Sequence, residues 1–171
     1  MPFDSRSLVR PLLLGLALLA LASTACACGP ALPFGSIAGP QSHGGPVRDH
    51  VSFVDALRAA GYGVTIAGRV QQPFLRPRGT LLQLSGVDLR GPAELQSYDY
   101  DDRDLGTDGL ATAQADADQF QPDGQLRGAP VDWAGPPHVF RRERVLVIYV
   151  GDDPALLGRL TALLGPQIAG Q

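Results

Sequence analysis

The chain has 171 residues, with 14 basic and 17 acidic side chains and a net charge of −3. That length supports one domain with its own core plus a tether, and with no basic patch nucleic acid is excluded as an expected partner. Every basic residue is an arginine, which excludes lysine Schiff-base and phosphate-loop chemistry.

The N-terminal stretch reads as a lipoprotein signal over residues 1–25. Arg6 and Arg10, partly offset by Asp4, precede an apolar run from Leu12 to Ala22. Ser23, Thr24 and Ala25 then place small residues ahead of Cys26, the expected lipidation site. Cys28 would need a cysteine two positions upstream, so it fits less well and is expected to be a free thiol. The run is shorter than the roughly 18 apolar residues of a transmembrane candidate, and Pro30 and Pro33 follow at once. With two cysteines in the chain, the domain is expected to hold neither a disulfide nor a cysteine metal site. Acyl chains at about 0.8 kcal/mol per buried methylene would bind the protein to the membrane. The expected location is the cell envelope, facing the periplasm or the exterior. Ala27 after the lipidated residue suggests outer-membrane sorting in a two-membrane bacterium. Residues 26–48, with the lipidated cysteine, four prolines and His43, read as a flexible tether.

Residues 49–171 read as one α+β domain. Ser52 to Asp55 resembles a capping box, with aspartate in place of glutamate, opening a helix over 53–60 that ends at Gly61. His50, just before it, is expected at the surface. Alternation predicts a strand at 62–66 and a second at 71–75 with Phe74 inward. After a turn at 77–79, a strand at 80–84 is expected to turn at Ser85-Gly86 into another at 87–89, followed by a strand at 95–100. A weak helix over 107–120 would carry Leu110, Ala113, Ala117 and Phe120 along one side. Val139-Phe140 and Val145–Val150 predict a hairpin around Arg142-Glu143. The segment VLVIYV is apolar on both faces, as suits a central strand covered on both sides. Asp153-Pro154 then caps a helix with Leu156, Leu157, Leu160, Leu163 and Leu164 as its stripe, stopped by Gly165-Pro166. The expected architecture is a mainly antiparallel sheet of about five to six strands with two to three helices packed on it.

The segments SFVDALRAAG (52–61), QPF (72–74), DW (132–133), PPH (136–138), YVGDD (149–153) and LLGPQIAG (163–170) resemble a family of short, uncharacterised bacterial lipoproteins. The resemblance covers most of residues 50–170. It implies an anchored envelope protein with one small domain, and it implies no activity. The acidic stretch 98–118 departs from the pattern, so a function built on those acids would not be shared by the family.

Two stretches carry candidate chemistry. Asp99, Asp101, Asp102, Asp104 and Asp108 form the densest acidic run, and hard cations such as calcium take several carboxylate and carbonyl oxygens. The run lacks a closing glutamate and has Gly106 at a ligand position, so a solvated strand end is the simpler reading. Trp133, Pro136, Pro137 and His138, with Asp132 beside them, form the candidate recognition segment. Two prolines hold the chain extended next to an aromatic anchor; the alternative is that Trp133 packs on the core and His138 bonds the backbone. Zinc on His138, His50 and Asp132 is conceivable by residue type alone. None of Ser52, Ser85 and Ser97 lies in a Gly-x-Ser-x-Gly elbow, Gly151-Asp152-Asp153 reads as a helix cap, and Gly61-x-Gly63 lacks a phosphate-loop context. No cofactor is expected, with calcium as the alternative. The expected function is a membrane-anchored, non-catalytic interaction module with an envelope protein partner. The alternatives are an envelope hydrolase using Asp132 and His138 or the 99–108 acids, and a calcium-stabilised structural lipoprotein.

Overall fold

The computed structural model describes residues 45–170. The signal sequence, Cys26, Cys28 and most of the tether lie outside the described residues. The element order is α1 (His50–Ala59), β1 (Gly63–Val70), β2 (Gly79–Ser85), β3 (Ala93–Asp99), α2 (Asp102–Leu105), α3 (Gly109–Ala117), β4 (Pro137–Arg142), β5 (Val145–Val150), α4 (Pro154–Leu164) and β6 (Ala169–Gly170). The strands form one six-stranded sheet in the order β1-β2-β3-β5-β4-β6. Every neighbouring pair is antiparallel, which makes this the expected α+β fold. No helix among the described residues is long and apolar enough to cross a membrane.

Strand β5 lies inside the sheet, bonded to β3 and β4, and Val145 to Ile148 are fully buried. Alternation sends its side chains to two separate cores. Val145, Val147 and Tyr149 join Phe53 and Leu57 of α1 and Leu156, Leu160 and Leu164 of α4. Leu146 and Ile148 join Ala113 and Ala117 of α3, with Tyr98, Tyr100, Phe120 and Leu126. We call these the helix face and the loop face. Both faces of the apolar strand are covered from within the chain, so its composition requires no partner subunit.

Local chemistry sets the element boundaries. The capping box of α1 lies one turn earlier than its sequence suggests. Asp49 is the N-cap, its carboxylate accepting from the Ser52 N–H, and Ser52 returns the bond to the Asp49 N–H. Asp55 is instead a buried residue within the helix, 3.9 Å from Arg58. Residues 71–75 are a turn and not a strand, because Pro73 cannot donate to a ladder and the Leu75 N–H bonds Gln72 O. Residues 87–89 likewise form a turn, closed by Leu89 N–H to Gly86 O, because both edges of β2 are already occupied by β1 and β3. The expected helix over 107–120 is the shorter α3, and an additional short helix, α2, precedes it and ends at Gly106, in a left-handed conformation at φ 65°. The inner side of α3 carries Thr112, Ala113, Asp116 and Ala117, and Leu110 points outward. The two-residue strand β6, paired to His138 and Val139, has no periodicity that the sequence could reveal. The β4–β5 hairpin and α4, with Asp153 as its N-cap, stand as expected.

Because β5 feeds both cores, Leu146→Ala should lower unfolding free energy by about 2–5 kcal/mol, read from the midpoint of a denaturant titration. Ile66→Ala, at an exposed position, should stay within about 0.5 kcal/mol of the parent.

Candidate functional site

The Trp133 segment enters β4 from a loop folded back on itself. The Val131 N–H donates to the Gln125 side-chain oxygen at 2.8 Å. The Trp133 indole N–H donates to Gly124 O at 3.2 Å, and Phe74 meets the indole edge-on at 6.2 Å. Gly124 has φ 79°, and a Cβ there would sit 2.6 Å from Cγ of Pro137, so the loop needs glycine at this corner. Trp133 is thereby fixed yet only partly buried.

Two clefts on the loop face meet at this residue. One, of about 440 Å³, lies over Leu81 and Ile148 and is bordered by Gln72, Glu94, Gln96, Asp132 and Trp133. The other, of about 560 Å³, is bordered by Asp123, Gln125, Trp133, Pro136 and Pro137. Asp132, Trp133 and Gly135 are common to both. The Gln96 side-chain oxygen accepts from Gln72 Nε2 at 3.0 Å and from the Tyr98 hydroxyl at 2.8 Å, which holds the polar floor in one orientation. Three of the four expected recognition residues therefore gather around these clefts. His138 does not join them. It is the second residue of β4, so alternation turns it to the helix face, where it stacks on Tyr149 at 6.0 Å and its Nδ1 lies 2.8 Å from the Gln167 side-chain oxygen. Asp132 is exposed above the loop face, so the Asp132 and His138 side chains are separated by the sheet.

The acidic run is not gathered into one site. Asp101 accepts from the Arg103 N–H at 2.8 Å and caps α2. Asp102 accepts from the Gly109 N–H at 2.7 Å and pairs with Arg144 at 3.2 Å. Asp108 caps α3 by accepting from the Ala111 N–H at 3.0 Å. Asp104 is exposed. Asp99 accepts from the His50 N–H at 3.2 Å; burial raises its carboxyl above the ordinary range, and the His50 N–H bond partly offsets the rise. Among the described residues, no three of His, Cys, Asp and Glu are arranged to hold a metal ion.

Two arrangements escape a reading of the sequence. Asp116 is a buried carboxylate on α3. It accepts from the Arg76 N–H at 2.9 Å, the Tyr100 hydroxyl at 2.9 Å and Gln119 Nε2 at 3.2 Å, with the Arg76 guanidinium at 3.8 Å. Burial, then the Asp116 charge, pushes the Tyr100 hydroxyl well above its usual range. This network ties α3 to β3 and to the loop ahead of β2. The only sequence signal was the helical spacing of Asp116 from Thr112 and Ala113, which alone cannot mark an aspartate as buried. The second arrangement lies on the helix face. His50, expected at the surface, is half-buried, and its Nδ1 shares a 3.0 Å hydrogen bond with Ser97 Oγ. Both line a cleft of about 310 Å³ with Arg69, Arg78, Thr80 and Asp99. Desolvation by burial lowers the His50 pKa and Arg69 adds to this, while Asp99 and Asp49 oppose it.

Asp116→Ala should cost about 3 kcal/mol, because it leaves the Tyr100 hydroxyl and Arg76 N–H without a buried acceptor; chemical denaturation measures it. His50 favours its neutral form in the folded state, so its contribution is fully present above the unfolded pKa of about 6.5 and is lost as pH falls below it. Asp99 has the opposite sign, its raised pKa favouring the folded state at acid pH, and acts in the lower carboxylate window. The melting temperature should therefore fall between about pH 7 and pH 6, and fall less in His50→Gln.

No protein-family model matches the chain, and neither a curated protein nor a solved structure matches it significantly.

Proposed function

We propose that this chain is a lipid-anchored lipoprotein of the cell envelope, attached through Cys26, and that its folded domain is a non-catalytic binding module for an envelope protein. The apolar run ending in Ala25-Cys26, the proline- and glycine-rich stretch to residue 48 and the resemblance to short bacterial lipoproteins support the anchoring. One observation carries the binding reading: Trp133, fixed by Gly124 and Phe74 but partly open to solvent, stands where two clefts meet. A rigid aromatic with polar groups on both sides loses little entropy on contact and offers a large area to bury. The hydrolase reading has less support, since Asp132 and His138 do not share a cleft. The calcium reading also has less, since Asp101, Asp102 and Asp108 already accept backbone N–H groups.

Crosslinking of the lipidated protein in its native envelope, followed by mass spectrometry, is the test. One recurrent partner is expected, with capture falling about tenfold or more in Trp133→Ala. Asp132→Ala, at an exposed position bordering both clefts, should reduce capture without lowering the melting temperature. Capture unchanged in both variants would remove this surface from the function.

A further inference from the structure

The cleft at His50 is independent of the Trp133 surface and lies on the opposite face of the sheet. It is built on β1, β2 and β3 at the N-terminal end of α1, whose first residue, His50, lines it. Strand β1 carries a bulge between Ile66 and Gly68. The extra residue inverts the alternation beyond it. Ile66 pairs with Leu82 of the helix face, whereas Gly68 pairs with Leu81 of the loop face, so Arg69 returns to the helix face opposite Thr80. Without the bulge Arg69 would point to the other side. Thr80 in turn pairs with Ser97, which sets two hydroxyls side by side on the cleft floor.

The lining carries both signs of charge. Arg69 on β1 and Arg78 just ahead of β2 supply two guanidinium groups. Asp99 at the end of β3 and Asp104 on α2 supply two carboxylates. Among the described residues none of these four side chains takes part in an ion pair, although four pairs form elsewhere. Arg69 and Arg78 are exposed, so nothing in the fold fixes them there. An anion alone would meet the two carboxylates, and a cation alone would meet the two guanidiniums. A molecule bearing both charges close together satisfies both pairs. At about 310 Å³, the cleft is at the small end of the roughly 300–1,000 Å³ span of small-molecule sites. Ile66, exposed at the rim, supplies its one large apolar side chain.

We infer that this cleft is a binding site for a small zwitterion, a free amino acid with a short apolar side chain. Arg69 and Arg78 receive its carboxylate, a match to planar guanidinium donors. Asp99 and Asp104 receive its ammonium group, and Ile66 packs against its side chain.

The test is isothermal titration calorimetry on the full-length chain in detergent micelles. The probes are L-alanine, D-alanine and L-valine, with propionate, N-acetylalanine and alaninamide as analogues lacking one charge. At least one unmodified amino acid should bind with a dissociation constant of about 1 mM or tighter. Each single-charge analogue should bind tenfold or more weakly. Arg69→Gln, Arg78→Gln and Asp99→Asn should each weaken binding tenfold or more, with their folding checked by melting temperature. Trp133→Ala should bind as the parent does, which keeps this result separate from the partner-capture experiment. No binding by any of the amino acids up to about 10 mM would overturn the assignment. So would propionate or alaninamide binding as tightly as alanine, which would mark a simple ion site.

Discussion

The structure depends on burying both faces of β5. A strand reading VLVIYV cannot sit at an edge or under one layer without leaving apolar side chains in water. Placing it between β3 and β4 satisfies its backbone on both sides, and its alternating side chains then require two covers. Helices α1 and α4 supply one. Helix α3 and the loop running on to Trp133 supply the other. Two thin layers of cover on one sheet follow from six residues.

The clefts lie where that cover ends. Helix α3 spans only nine residues, so the loop face beyond it is lined by Gln72, Gln96 and the Trp133 loop. On the other face the capping box fixes where α1 begins, and the sheet beyond it holds Thr80, Ser97 and Asp99 with the His50 ring over them. The bulge in β1 then turns Arg69 toward this opening. The site positions are therefore consequences of helix length and strand register. The two surfaces differ in chemistry: the first is an aromatic beside amides and carboxylates, the second a set of charges of both signs that form no ion pair among the described residues.

The acidic run shows how one composition can serve a different purpose. Five carboxylates within ten residues resemble a cation site, yet the backbone takes most of them. Asp101 and Asp108 each open a helix, and Asp102 spans the break between the two. A short aspartate beside free N–H groups competes well for this role.

By itself the sequence determined the fold class, the β4–β5 hairpin, the buried central strand and α4 with its Asp153 cap. Each of these is written in contiguous residues, as periodicity, a turn or a cap. It also marked Trp133, Pro136 and Pro137, because a rigid aromatic next to prolines is a local feature. Only the tertiary structure decided the rest. His138 and Pro137 are neighbours in the chain but face opposite sides of the sheet, and this depends on where β4 begins. His50 and Ser97 are 47 residues apart in sequence, and no local pattern joins them. Arg69 reaches the helix face through a one-residue bulge, visible only against the register of the neighbouring strand. Asp116 is buried because Arg76 and Tyr100 come to it from distant segments. Local order follows from local sequence, whereas a cleft is made by strand register and by side chains that meet only when the chain closes on itself.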